Sequence, residues 1–323
     1  MELQPATRKT FYFIGVTTRQ SSIMNVFPAW AEFLGLGDVE IQGIDLPIHA
    51  PASEYRKVTA FIKHDPLSVG ALVTTHKIDL YHACHDLFDE IDLHAGMMGE
   101  TSCLSKRDGK FCCSAKDPVT SGFALEHLLA PQHFAQTGGA VFSMGAGGST
   151  IALTWHLTQS CRAANRPVKV IVSDTSRERL DEIRSIHRQY EIDIPCEYVL
   201  VTAPDTNDNV LAGLPGGSLV INATGLGKDG PGSPLTDAAV FPDNAVVWEL
   251  NYRGELAFLH QAKTQQAQQR LAVHDGWVYF LYGWTRVIAE VFDVDIPVNG
   301  PGFEKISHIA ATAGKSNPEN KKR

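Results

Sequence analysis

Short apolar runs alternate along this chain with longer segments whose apolar residues recur at helical spacing, and that alternation predicts an α/β protein. Runs at 11–16, 39–46 and 69–74 predict strands, and the segments near 23–35, 53–63 and 77–88 predict helices. A strand or loop pair is expected over 100–114, around the Asp108-Gly109 turn. FALEHLLAPQHFAQTGGA then reads as a connecting helix and a loop. Further strands are expected at 141–144, 168–173, 197–201, 218–222 and 246–250, and a helix over 256–271. WVYFLYGWTRVIAEVF, after Gly276, is too apolar for a surface helix and is expected to pack back onto the first lobe. The pattern predicts two lobes: 1–117 with 274–323, and 118–273. A ligand cleft is expected at the carboxyl ends of the strands. The tail from Gly314, GKSNPENKKR, is expected to be disordered.

The segment AVFSMGAGGS at 140–149, followed by VIVSD at 170–174, has the form of a dinucleotide-binding βαβ unit. Gly145 allows a sharp turn, and Gly147 removes the side chain where a pyrophosphate approaches. Gly148 and Ser149 open a helix whose free N–H groups face that phosphate. Asp174, at the next strand tip, is placed to accept both hydroxyls of an adenosine ribose. A glycine cluster alone is often a mere turn. The strand before, the helix after and the acid at the second strand tip favour the cofactor.

Composition narrows the class. A length of 323 residues favours two domains, and hydrophobic and charged fractions of 44% and 20% are those of an ordinary globular protein. A net charge of −8 argues against nucleic acid or an anionic membrane as partner. No apolar stretch reaches membrane-spanning length, and the N-terminus lacks a signal-peptide cleavage region, so a cytoplasmic protein is expected. Cys84, Cys103, Cys112, Cys113, Cys161 and Cys196 show no pairing pattern, which suggests reduced thiols. His82, Cys84 and His85 lack metal-ligand spacing, so no metal is expected.

Two ionisable residues stand out at the first lobe's strand ends. Lys77 closes GALVTTHK, and Asp117 follows the Asp108-Gly109 turn. Each taken alone reads as a solvated surface charge. In order, however, VTTHK, AGMMGETSCL, DGKFCCSAKD, GAGGS, INATGLG (221–227) and WELNY resemble motifs of the shikimate dehydrogenase family (shikimate and quinate dehydrogenases) over about 11–296. The resemblance implies an N-terminal α/β substrate-binding domain and a Rossmann-like dinucleotide-binding domain with a cleft between them. It puts Lys77 in the place of the catalytic lysine and Asp117 in that of the catalytic aspartate. It places substrate contacts at Ser21, Ser22, Thr74, Ser102 and Tyr252. Cofactor contacts fall at Gly145, Ala146, Gly147, Gly148, Ser149, Asp174, Ser176 and Arg179, and at Asn222, Ala223, Thr224 and Gly225 beside the nicotinamide.

The departures concern substrate more than cofactor. GVTTRQSSIM keeps Gly15 and Ser21, but the family's second serine falls on Ile23, with Ser22 beside it and Arg19 near. Ser102 and Cys103 stand where Asn and Thr are usual, Ala115 replaces an asparagine, Glu249 replaces an aspartate, and Gly283 replaces a glutamine. Ser21 and Ser22 have the alternative role of capping the helix that starts near Ile23. Asp174-Thr175-Ser176 replaces the Asn-Arg-Thr segment that grips a 2′-phosphate, so NAD is expected rather than NADP, with Arg177 and Arg179 tempering the preference.

The resemblance implies hydride transfer between a nicotinamide cofactor and a small-molecule ring hydroxy acid, by a monomer or homodimer. Lys77 would move the hydroxyl proton and Asp117 would anchor substrate and lysine, although the sequence does not divide that work between them. Two alternatives are a non-catalytic metabolite sensor and an enzyme like methylene-tetrahydrofolate dehydrogenase. The first needs neither Lys77 nor Asp117, and the second does not account for Asp117.

Overall fold

In the computed structural model, residues 3–159, 163–228 and 230–314 are described, so Cys161 and the tail after Gly314 lie outside them. The chain forms two compact units, Met1–Lys116 with Leu281–Arg323, and Asp117–Phe280.

In the first unit β1 (Lys9–Gly15), α1 (Ile23–Leu34), β2 (Val39–Asp45), α2 (Ala52–His64), β3 (Ser68–Val73) and α3 (Lys77–Cys84) alternate as the periodicity predicts. Next come β4 (Glu90–Ile91), α4 (Leu93–Met98) and the hairpin of β5 (Cys103–Arg107) and β6 (Lys110–Ser114). Asp108 and Gly109 both have positive φ, 53° and 74°, as a tight hairpin turn requires. The sheet order is β2-β1-β3-β5-β6-β4, with β1, β2 and β3 parallel and β5 antiparallel to both β3 and β6.

β1 is buried on both faces, which explains its unbroken apolar run. Tyr12 and Ile14 share a core with Val58 and Ile62 of α2. On the opposite face Trp284 meets Phe11 and Phe13 edge-on, at ring separations of 6.1 and 4.9 Å.

The second unit begins with α5 (Asp117–Leu128) and α6 (His133–Thr137). It continues through β7 (Val141–Met144), α7 (Gly148–Thr158), β8 (Val170–Asp174), α8 (Arg177–Gln189), β9 (Cys196–Leu200) and α9 (Thr206–Ala212). It ends with β10 (Leu219–Asn222), β11 (Val246–Glu249), α10 (Ala257–Gln269), β12 (Ala272–His274) and the first turn of α11 (Trp277–Phe292). Every strand pair is parallel, in the order β12-β11-β10-β7-β8-β9. This is the doubly wound Rossmann order, with its switch point at β7 and β10. Met144 pairs with Asn222, so both strands deliver their following loops at one level.

The unit boundaries differ from the pattern-based ones. Asp117 opens the second unit because it is the first residue of α5, which packs on α7. The return to the first unit falls inside α11 because Tyr279 and Phe280 pack on Trp248 and Tyr252 of the second unit. The pattern also misses α12 (Gly300–Gly314). It buries Phe303, Ile306 and Ala310, and the Trp30 indole of α1 donates to the Ile306 carbonyl at 2.9 Å.

Candidate active site

In the second unit the 145–149 loop sits at the switch point. Gly145 has φ +104°, and a Cβ there would lie 2.6 Å from the Ala223 carbonyl oxygen, so only glycine fits. Gly147 caps α7 in an extended conformation, and a Cβ there would meet nothing within 4 Å. Open space above a helix N-terminus, bounded by bare backbone, suits a pyrophosphate.

The structure gives Asp174 a task that spacing does not reveal. Its two carboxylate oxygens accept the amides of Ala146 and Ser176, each at 2.8 Å, and so tie the glycine loop to the tip of β8. Each oxygen keeps a further lone pair for a ribose hydroxyl. Ser176 is the N-cap of α8, accepting the Arg179 amide at 3.2 Å, while the Arg179 guanidinium bonds Glu182 at 2.9 Å.

Asn222, Ala223, Thr224 and Gly225 form the loop after β10. The Asn222 side-chain oxygen accepts from the Thr224 amide at 3.1 Å and from its hydroxyl at 2.7 Å. The Asn222 amide donates to fully buried Glu249 at 2.7 Å. The backbone and side-chain amides of Asn251 also donate to Glu249, at 2.8 and 2.7 Å. Burial raises the Glu249 carboxyl to about 7 despite these donors. Glu249 thus holds the 222–225 loop, and Tyr252 packs beside it against Phe280 at 4.7 Å between ring centres.

Asp117 is 6% exposed. The Tyr279 hydroxyl donates to its Oδ2 at 3.2 Å. The same phenol lies 3.3 Å from Ser149 Oγ and accepts from Ser121 Oγ at 3.5 Å. A carboxylate is thereby joined to the start of α7, the helix that follows the glycine loop. Tyr279 escapes sequence reasoning as a partner for Asp117 because 162 positions separate them.

In the first unit, β1, β2 and β3 end together. The Thr18 amide and hydroxyl donate to Asp45, at 2.8 and 2.5 Å, fixing the turn that carries Ser21 and Ser22. Both serines are buried. Ser22 occupies the N-cap of α1, yet among the described residues its hydroxyl makes no capping bond. Arg19 is exposed.

Thr74 continues from β3 with its amide bonded to the Ile14 carbonyl at 3.0 Å. Thr75 has φ +60°, a conformation that costs a β-branched residue about 1–3 kcal/mol and that clusters at functional sites. Lys77 follows as the first residue of α3, half-buried. His76 is 1% exposed, its Nδ1 lies 3.0 Å from the Tyr55 hydroxyl, and burial lowers its pKa. It is built in as a neutral buried group.

Ser102 braces this region: its amide donates to Ser114 and its Oγ accepts the Lys116 amide at 2.7 Å. Sequence reasoning also missed Glu290, which accepts from Ser105 at 3.0 Å and Ser114 at 2.6 Å and pairs with Lys116. Burial opposes its charge, but Lys116 and the serines outweigh that and hold the carboxyl below its usual range. Among the described residues no cluster of His, Cys, Asp or Glu is arranged to hold a metal ion, and no helix is long and apolar enough to cross a membrane.

No family model matches the chain. It is 26% identical over 181 residues to a shikimate dehydrogenase (NADP(+)) of Lactococcus lactis subsp. cremoris (strain MG1363), covering 56% of this chain and 60% of that relative's length. Among solved structures it resembles quinate dehydrogenase from Corynebacterium glutamicum in complex with NAD, at TM-score 0.70 and 16% identity, covering 94% of this chain and 99% of that one. It also resembles shikimate 5-dehydrogenase from Thermus thermophilus in complex with NADP(H) and shikimate, at TM-score 0.67, 19% identity and the same coverages of 94% and 99%. The chain has the fold of these dehydrogenases.

Proposed function

We infer that the chain is a divergent member of the shikimate dehydrogenase family, and we propose that it is a nicotinamide-dependent dehydrogenase of shikimate, quinate or a close ring hydroxy acid. The observation that carries this reading is the buried Asp117, bonded through Tyr279 to the serine that opens the phosphate-loop helix. A structural turn needs no carboxylate there, whereas an alcohol dehydrogenase needs an oriented acceptor beside its cofactor loop.

The dinucleotide, when bound, supplies the hydride acceptor. Gly145 to Ser149 would hold its pyrophosphate, Asp174 its adenosine ribose, and the 222–225 loop would border the nicotinamide. Ser21, Ser22, Thr74, Ser102 and Tyr252 would hold the ring acid, with the serine hydroxyls on its carboxylate.

Oxidation of a secondary alcohol removes the hydroxyl proton as the hydride leaves carbon. Lys77 Nζ takes that proton in oxidation and returns it in reduction. Asp117 accepts a hydrogen bond from the reacting hydroxyl and orients it. The strained Thr75 fixes the angle at which α3 presents Lys77. NAD is the proposed cofactor, supported by the Asp174 carboxylate where a 2′-phosphate would suffer like-charge repulsion, and by the engagement of Arg179 with Glu182.

The test is initial-rate oxidation of shikimate and quinate with NAD and with NADP. Turnover of one ring acid, with kcat/KM higher for NAD, is expected. No turnover with either cofactor overturns the activity, and a preference for NADP overturns the role of Asp174.

A further inference from the structure

Tyr279 offers one hydroxyl proton to several neighbours. Asp117 is an acceptor when ionised, so the phenol's proton goes to its Oδ2 at 3.2 Å, and the phenolic oxygen is left to accept from Ser149, at 3.3 Å, or Ser121, at 3.5 Å. A directed chain results: Ser149 or Ser121 hydroxyl to Tyr279, and Tyr279 to Asp117. Serial hydrogen bonds polarise one another, so each donor strengthens the next. The ring itself is fixed, since fully buried Trp248 meets it edge-on at 5.8 Å and 79°.

From this geometry we propose that Tyr279 is a positioning residue for the dehydrogenase reaction, orienting Asp117 and tying it to the helix that receives the cofactor phosphate. The inference rests on the functional reading above. Ser149 belongs at once to the phosphate loop and to this chain, so the segment that binds cofactor also helps to set the carboxylate that meets substrate. Tyr279 need touch neither substrate nor cofactor to do so. Misplacing a reacting group by about 1 Å costs as much as 10²-fold in rate, so loss of this one bond should register in turnover.

Tyr279→Phe keeps the ring against Trp248 and removes only the hydroxyl. The experiment measures kcat and both KM values for wild type, Y279F, D117N and the double variant, with thermal midpoints for each. Y279F should lose about 10- to 100-fold in kcat while the KM for cofactor stays within about twofold, because the loop's backbone amides, which would face the phosphate, do not depend on the Tyr279 hydroxyl. Because Tyr279 acts through Asp117, the double variant should be no slower than D117N by more than about twofold. An unchanged kcat in Y279F overturns the proposal, as do kcat losses that multiply independently in the double variant. A fall in kcat matched by a collapsed thermal midpoint also overturns it, since the role is then only structural. Wild-type protein that turns over no ring acid overturns the functional reading and this inference with it. Active wild type with unaffected Y279F overturns this inference alone.

Discussion

Titration of Glu249 should affect stability strongly near neutral pH. Its carboxyl lies at the tip of β11 with no exposure, and burial raises its pKa from 4.5 to about 7. A raised acid pKa means that the folded state holds a proton the unfolded chain has released. The stabilisation is therefore complete below pH 4.5, falls as pH rises to about 7, and is lost above. At about 1.4 kcal/mol per pKa unit, the loss across that window is ~3 kcal/mol.

His187 works in the opposite sense. Burial lowers its pKa from 6.5 to about 4, so its contribution is present above 6.5 and is lost as pH falls. Burial also lowers the pKa values of His76, His156 and His274, so the wild-type curve contains opposed slopes, and the difference from Glu249→Gln isolates that of Glu249. The substitution also places a side-chain amide against the Asn222 donor, which costs about 1–3 kcal/mol at every pH and leaves the slope unaffected. The assay is urea unfolding followed by tryptophan fluorescence at intervals from pH 4.5 to 8.5. The wild-type-minus-variant difference should fall by ~3 kcal/mol between pH 4.5 and 7.5. Curves that stay parallel within about 0.5 kcal/mol refute the reasoning.

Gly145→Ala should abolish dinucleotide binding in calorimetric titration and lower the unfolding midpoint, because its Cβ would lie 2.6 Å from the Ala223 carbonyl oxygen at φ +104°. Cofactor binding at wild-type affinity would show that the loop is not the phosphate site. Replacing Ser21 and Ser22 together with alanine should raise the KM for ring acid by at least about tenfold, the worth of one or two lost hydrogen bonds to a charged group, with little change in unfolding midpoint. An unchanged KM would remove both from substrate recognition.

Most strands and the glycine loop were legible, because buried parallel strands such as β1 and β7 are continuous apolar runs and because Gly145 answers a backbone need that leaves a residue-level trace, whereas β4 and β12, of two and three residues, are too short for any periodicity. α12 was not, since its Gly300-Pro301-Gly302 opening reads as a loop. Yet Pro301 suits a first helical turn, and Phe303, Ile306 and Ala310 mark one buried face. Positions of Lys77 and Asp117 at helix starts were within reach of pattern and resemblance. The tasks of Asp174 and Ser102 were not, because they accept the amides of Ala146 and Lys116, 28 and 14 positions away, and no spacing rule encodes which distant amide folding brings near. The half-buried pair of Lys116 and Glu290, with Ser105 and Ser114, escaped for the same reason: Glu290 reaches the other three from a distant segment.

The proton-transfer role of Lys77 is tested most directly by ring-acid oxidation with the Lys77→Ala protein, measured beside wild type at saturating cofactor. The account predicts a kcat lower by about 10²–10⁴-fold, the usual worth of general acid–base catalysis, with cofactor affinity unchanged. Turnover near the wild-type rate would contradict it.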